Sequence, residues 1–95
     1  MSDSFKSLGQ SLDVLISKLG LQMKMKEQKV IQNWSNIVGP QIAKIAKPEK
    51  VYDKVLHLRV ANISWRTELT FQKAVLLKQI ENHVGKNVIN DLRFF

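Results

Sequence analysis

One six-residue run constrains the fold more than any other. Val55-Leu56-His57-Leu58-Arg59-Val60 alternates, with Leu56, Leu58 and Val60 on one side and Val55, His57 and Arg59 on the other. A period of two marks a half-buried strand. It lies between runs of helical period, so the chain is mixed rather than all-helical. Val51-Tyr52 before it reads as a short extended piece, and Asp53-Lys54 as a tight turn, giving a hairpin. Asp-Lys is not the favoured dipeptide for such a turn.

The flanking runs read as helices. Ser2, Asp3 and Ser4 are N-cap residues before Phe5, Leu8, Leu12, Leu15, Ile16 and Leu19, which fall on one amphipathic stripe. Gly20 sits where a C-cap glycine belongs. A second helix spans Gln22 to Val38, with Met23, Val30, Ile31, Trp34, Ile37 and Val38 on one arc. Gly39 stops it and Pro40 opens a short third helix, Gln41 to Ala46. Lys47-Pro48 is a break. Beyond the hairpin, Asn62 or Ser64 caps a long helix from Trp65 to Val84, ended by Gly85. Asn87 to Phe95 is a last strand, with Val88, Leu92 and Phe94 facing one way and Ile89 and Phe95 the other.

The order helix, helix, short helix, strand, strand, helix, strand predicts an α+β domain. Its small three-stranded sheet combines a hairpin with a right-handed βαβ crossover, and helices pack on one face. A chain of 95 residues holds one such domain, against the usual ~100–200 residues per domain. At this size about 60–65% of the unfolded surface can be buried, so the core must be compact.

Composition then narrows the function. Without cysteine there are no disulfides, thiolate metal sites or Cys nucleophiles, which suits a cytoplasmic protein. No secretory leader opens the chain, and no apolar run approaches the ~18 residues of a membrane span. Fifteen Lys and Arg against eight Asp and Glu give a net charge of +7. Such an excess suits an anionic partner, nucleic acid first, or serves solubility alone. The charge is spread along the chain, so any anion-binding face has to be assembled by the fold.

Lys44, Lys47, Lys50 and Lys54 run from the third helix to the hairpin turn. With Arg59 and Arg66 they are the candidate phosphate-binding set, or else a solvated fringe. Trp34 lies mid-arc and reads as core. Trp65 opens a helix, where a ring packs under the cap or meets a partner. Phe71 and Val75 leave their helix's main stripe, so they either pack on the first helix or form an exposed apolar patch. Trp65, Phe71 and Val75 are thus the candidate partner-binding residues. His57 and His83 lack metal-ligand spacing, and Ser64 lacks a nucleophile elbow. No paired carboxylates, P-loop or dinucleotide fingerprint is present. The expectation is a binding protein without catalysis, cofactor, metal or small-molecule substrate, and without a membrane partner.

Asn33-Trp34-Ser35-Asn36-Ile37-Val38-Gly39 is followed by Ile42-Ala43, Pro48 and the alternating strand. Next come Ser64-Trp65-Arg66-Thr67-Glu68-Leu69, Leu76-Leu77, Ile80-Glu81-Asn82, Gly85 and Leu92-Arg93-Phe94. This series resembles the DciA family of bacterial replication proteins over about residues 25–95, with residues 1–20 as a more variable leader helix. The resemblance implies a KH-like domain that assists a DnaB-type replicative helicase onto DNA and itself binds DNA, single-stranded or tailed, without sequence preference. The basic, disordered extension of many relatives has no counterpart in these residues, so both contacts are expected of the folded domain. Glycines 9, 20, 39 and 85 include no pair three apart, so the GxxG clamp of RNA-binding KH domains is missing. Two other readings stay open: an RNA- or ribosome-associated KH-like module, and a pure protein-interaction domain.

Overall fold

Leu56, Leu58 and Val60 have no solvent exposure, and the rest of the domain is built around them. The computed structural model describes the backbone of residues 2–95 and the side chains of residues 11–95. The first helix, α1, is Ser2–Gln32, followed by the short helices α2, Trp34–Val38, and α3, Pro40–Ile45. Strand β1, Ala46–Tyr52, and strand β2, Val55–Val60, form the hairpin. Helices α4, Ile63–Phe71, and α5, Lys73–Val84, lead to strand β3, Asp91–Phe94. The sheet order is β1-β2-β3, with β1 antiparallel and β3 parallel to β2. The expected α+β architecture, a hairpin joined through a βαβ unit, is what forms. It is consistent with a KH-like domain.

The core faces of the strands contribute Ala46, Leu56, Leu58, Val60 and Leu92. Against them pack Val30 of α1, Trp34, Ile37 and Val38 of α2, Leu69 of α4, and Leu76, Ile80 and Val84 of α5. Trp34 is core, as its arc implied. Its indole Nε1 donates to the Ala46 carbonyl at 2.9 Å, which satisfies the ring's polar atom and pins α2 to the start of β1.

Several boundaries differ from expectation. Gly20 does not end a helix; α1 runs through it for 31 residues. An interior glycine costs a helix about 1 kcal/mol relative to alanine, and the continuous run on either side outweighs that. The glycines that stop helices are Gly39 and Gly85, at φ 92° and 98°. The expected second helix bends at Asn33 instead of running straight from Gln22 to Val38, and the bend delivers Trp34 to the core. The cap residues Ser2, Asp3 and Ser4 and the stripe residues Phe5 and Leu8 lie outside the described side chains. The rest of that stripe, Leu12, Leu15, Ile16 and Leu19, is exposed. α1 would span about 46 Å at 1.5 Å per residue and meets the core only from Met23 onward. The molecule accordingly measures 65 × 21 × 19 Å.

The helical turn ends before Lys47-Pro48 as expected, at Ile45, and the pair itself lies within β1, which begins at Ala46. β1 is an edge strand, where a proline forfeits no ladder bond, and a register shift between Pro48 and Lys50 absorbs the irregularity. The hairpin turn is as expected. Asp53 and Lys54 adopt φ 50° and 61°, the positive values that a two-residue type I′ turn needs. The long helix is interrupted at Gln72, whose amide is shared between the carbonyls of Glu68 and Leu69. Asn62 supplies its N-cap, its Oδ1 accepting from the amides of Ser64 at 2.8 Å and Trp65 at 3.3 Å. The last strand is shorter than Asn87 to Phe95. Asn87 has φ 64°, and Val88 and Ile89 are both buried, so they belong to a loop tucked under the core rather than to alternating strand faces.

Candidate nucleic-acid interface

The second face of the sheet is open to solvent, because the helices cover only the first. Cross-strand register sets its side chains in rows. Lys50 of β1 lies beside His57 of β2, which lies beside Arg93 of β3. Lys47 pairs with Arg59, and Tyr52 with Val55 and then Asp91. Phe95 extends the ladder: its amide donates to the Leu58 carbonyl at 2.9 Å, and its carbonyl accepts from the Val60 amide at 2.7 Å. The Phe95 ring thus lies beside His57, with centroids 6.5 Å apart in an edge-on arrangement, and the Arg59 guanidinium carbon is 5.1 Å from its centroid.

Charge on this face is unevenly committed. The Nε of Arg59 donates to Glu49 of the β1 bulge and forms an ion pair. That hydrogen bond, reinforced by the charge attraction, holds the Glu49 carboxyl below its usual range and raises Arg59. Asp91 is also held low, first by the Leu92 amide and then by Lys73, whose Nζ is 3.2 Å away. Lys47, Lys50 and Arg93 enter no ion pair among the described residues. These three are the cations available to an external anion, and phosphate oxygens need little more than such charge at the right spacing.

The structure brings together part of the set read from the sequence. Lys47, Lys50 and Arg59 share the open face. Lys54 sits in the hairpin turn at its edge, where its carbonyl accepts from the Asn90 amide. Lys44 is exposed on α3, away from the strand rows. Arg66 is half-buried, its Nε donating to the Val60 carbonyl at 2.7 Å, so it fastens α4 to the end of β2. The sequence reading places His57 beside Arg59 on this face but outside the candidate set, and it does not bring Arg93, Tyr52 or Phe95 to them. The alternation in Leu92-Arg93-Phe94-Phe95 was the available signal, but the pairing of β3 with β2 was needed to use it.

The candidate partner residues lie on α4 and α5, whose buried sides hold the sheet's other face. Trp65 is 39% exposed and borders a shallow groove with Asn62, Ser64, Glu68 and Gln72. Phe71 is 82% exposed and Val75 59%, so both stand largely in solvent. Ile63, about two turns before Phe71, is exposed as well. Among the described residues no three His, Asp or Glu side chains converge on a metal position, and no helix is long and apolar enough to cross a membrane.

Residues 7–94 match the sequence model of the family described as Dna[CI] antecedent, DciA. The match thus reaches into the first helix, beyond the stretch that the sequence motifs covered. A UPF0232 protein of Mycobacterium tuberculosis is 35% identical over 86 residues, 90% of this chain and 46% of the relative. One of Corynebacterium glutamicum is 32% identical over 90 residues, 95% of this chain and 51% of the relative. One of Mycobacterium marinum is 33% identical over 86 residues. The chain therefore spans about half the length of these curated relatives.

Proposed function

We propose, because the chain belongs to the DciA family, that it assists the loading of a DnaB-type replicative helicase onto DNA and does so by binding alone. The observation that carries this reading is the separation of two contact surfaces. The cations Lys47, Lys50 and Arg93 stand on the open sheet face, while Trp65, Phe71 and Val75 are exposed on helices that cover the other face. A domain with two such surfaces can hold an anionic strand and a protein at once. Tethering makes the second encounter intramolecular, which raises the local concentration of ring and strand without any chemistry. A non-catalytic role in the bacterial cytoplasm follows from the same reading.

Calorimetric titration of the chain into the replicative helicase of its own organism tests this, with and without single-stranded DNA. Binding that shifts when DNA is added supports loading. Trp65→Ala is expected to weaken the helicase contact by tenfold or more, as truncation of a buried aromatic anchor does, with DNA affinity unchanged. Absence of helicase binding under every condition refutes the reading for this chain.

A further inference from the structure

The Arg59 side chain is the least explained feature of the open face. It is 62% exposed, yet it is held from two sides, by Glu49 at its Nε and by the Phe95 ring beneath. His57 meets the same ring edge-on. A guanidinium already paired with a carboxylate is poorly placed to add net attraction for phosphate. Its use lies in its plane. Glu49 and Phe95 fix that plane in advance, so a base stacking on it encounters a surface whose rotamers are already restricted. The Phe95 ring is itself 36% exposed, and Tyr52, 73% exposed, adds a second aromatic face two rows along the sheet, beyond the Lys50–His57–Arg93 row. Flanking this assembly on the outer strands are three cations without an ion pair among the described residues, Lys47 and Lys50 on β1 and Arg93 on β3.

We propose that the open sheet face is a stacking platform for single-stranded nucleic acid, in which the Arg59–Phe95 pair receives a base and Lys47, Lys50 and Arg93 take the adjoining phosphates. Charge and stacking are divided between different residues, and this division is the content of the proposal. A duplex keeps its base faces inside the helix and offers only phosphates to such a surface. A single strand offers both, and every base has a face, so the platform selects strandedness without selecting sequence. The proposal rests on the nucleic-acid half of the loading role and adds where and how the strand is held.

The experiment uses the purified chain and fluorescein-labelled DNA of about 20 nucleotides, single-stranded or as the matching duplex, with anisotropy read over a range of salt. Three phosphate contacts give log K against log salt a slope of about −2 for the single strand. Lys50→Ala is expected to flatten that slope by about 0.7. Arg59→Lys keeps the charge and loses the plane. It is expected to weaken single-strand binding about tenfold, a typical loss for one stacked base, with the slope unchanged. Phe95→Leu should do the same. If Phe95→Leu loses its helical circular dichroism, Arg59→Lys, at an exposed position, decides alone. A 2-aminopurine placed in the strand should change fluorescence on binding to the wild type and less with Arg59→Lys. Single-strand binding that Arg59→Lys and Phe95→Leu leave within twofold, or a duplex bound as tightly as the single strand, overturns the platform while leaving helicase loading standing. No nucleic-acid binding at low salt overturns the platform and the DNA half of the loading role together, and the helicase titration then judges the remainder.

Discussion

Two apolar stripes on the N-terminal helices look alike and meet opposite fates. Leu12, Leu15, Ile16 and Leu19 recur at helical spacing, as do Val30, Trp34, Ile37 and Val38. The second group is buried, and each of the first is more than half exposed. The periodicity that defines an amphipathic helix says which side is apolar, not whether anything covers it. Coverage is decided by reach. The sheet with α4 and α5 spans only as far as Met23, and α1 projects past it. Stability should therefore reside in one stripe and hardly at all in the other.

The sharpest way to break that comparison is to make one substitution in both regions. Leu58 has no exposure and sits at the centre of the sheet. Leu58→Ala is expected to cost about 2–5 kcal/mol, as truncations that open core cavities do. For a domain this small, where the whole margin is about 5–10 kcal/mol, urea denaturation should show either a much lower midpoint or a chain already unfolded. At the far end of the scale, Leu15→Ala is expected to change stability by less than about 0.5 kcal/mol. Equal losses at the two leucines would mean that the α1 stripe is buried in solution.

Between these extremes lie two changes that test how the covered stripe is held. Trp34→Phe keeps most of the ring but removes the donor to the Ala46 carbonyl. Leaving that buried acceptor unmet should cost about 1–3 kcal/mol, beyond what the smaller ring loses. Asn62→Ala removes the cap that accepts from the Ser64 and Trp65 amides. The expected loss is about 1 kcal/mol, readable in the thermal midpoint, with the Trp65 environment changed in fluorescence.

Sequence reading recovered what local chemistry decides. The alternation in β2 gave the buried face residue by residue, and the positive φ of Asp53 and Lys54 is what a two-residue hairpin turn demands. Gly39 and Gly85 end helices because only a glycine takes those angles readily. What stayed hidden depends on tertiary placement. Gly20 looks like the other two, but no fold-level constraint turns the chain there. Pro48 marks the end of the α3 turn correctly, but that it lies inside a strand follows only from the edge position of β1. Gln72 carries no local signal for the interruption between α4 and α5. On the candidate interface, Lys47, Lys50 and Arg59 were legible as basic residues near the hairpin, but Arg93 and Phe95 join them only through parallel pairing of β3 with β2. Phe95 had been set apart from Val88, Leu92 and Phe94 by alternation alone. That Glu49 would commit Arg59 could not be read, since Pro48 marks an irregular strand but not which residue the register shift sets beside Arg59.

The smallest expected effect concerns that pair, and it separates the open face from the covered one by pH. The Glu49 carboxyl is lowered from its usual 4.5, first by the hydrogen bond from Arg59 and also by its charge. A carboxyl with a depressed folded-state value contributes stability at pH above its unfolded value and loses it as pH falls through the folded one. Wild type and Glu49→Gln should therefore differ most at neutral pH, hold that difference down to about pH 5, and converge below the usual carboxylate range. The pair is open to solvent, so the difference stays small and shrinks in high salt. Asp91 is lowered from 3.8 by the Leu92 amide and Lys73 and titrates in the same direction, so the wild type alone would mix the two. Subtracting the Glu49→Gln profile isolates the Arg59 pair. A difference that persists at low pH would mean that the Glu49 carboxyl titrates alike in the folded and unfolded chain, so that Arg59 does not hold it in solution. The core face has no such pH signature, because no polar or charged residue is buried in it among the described residues.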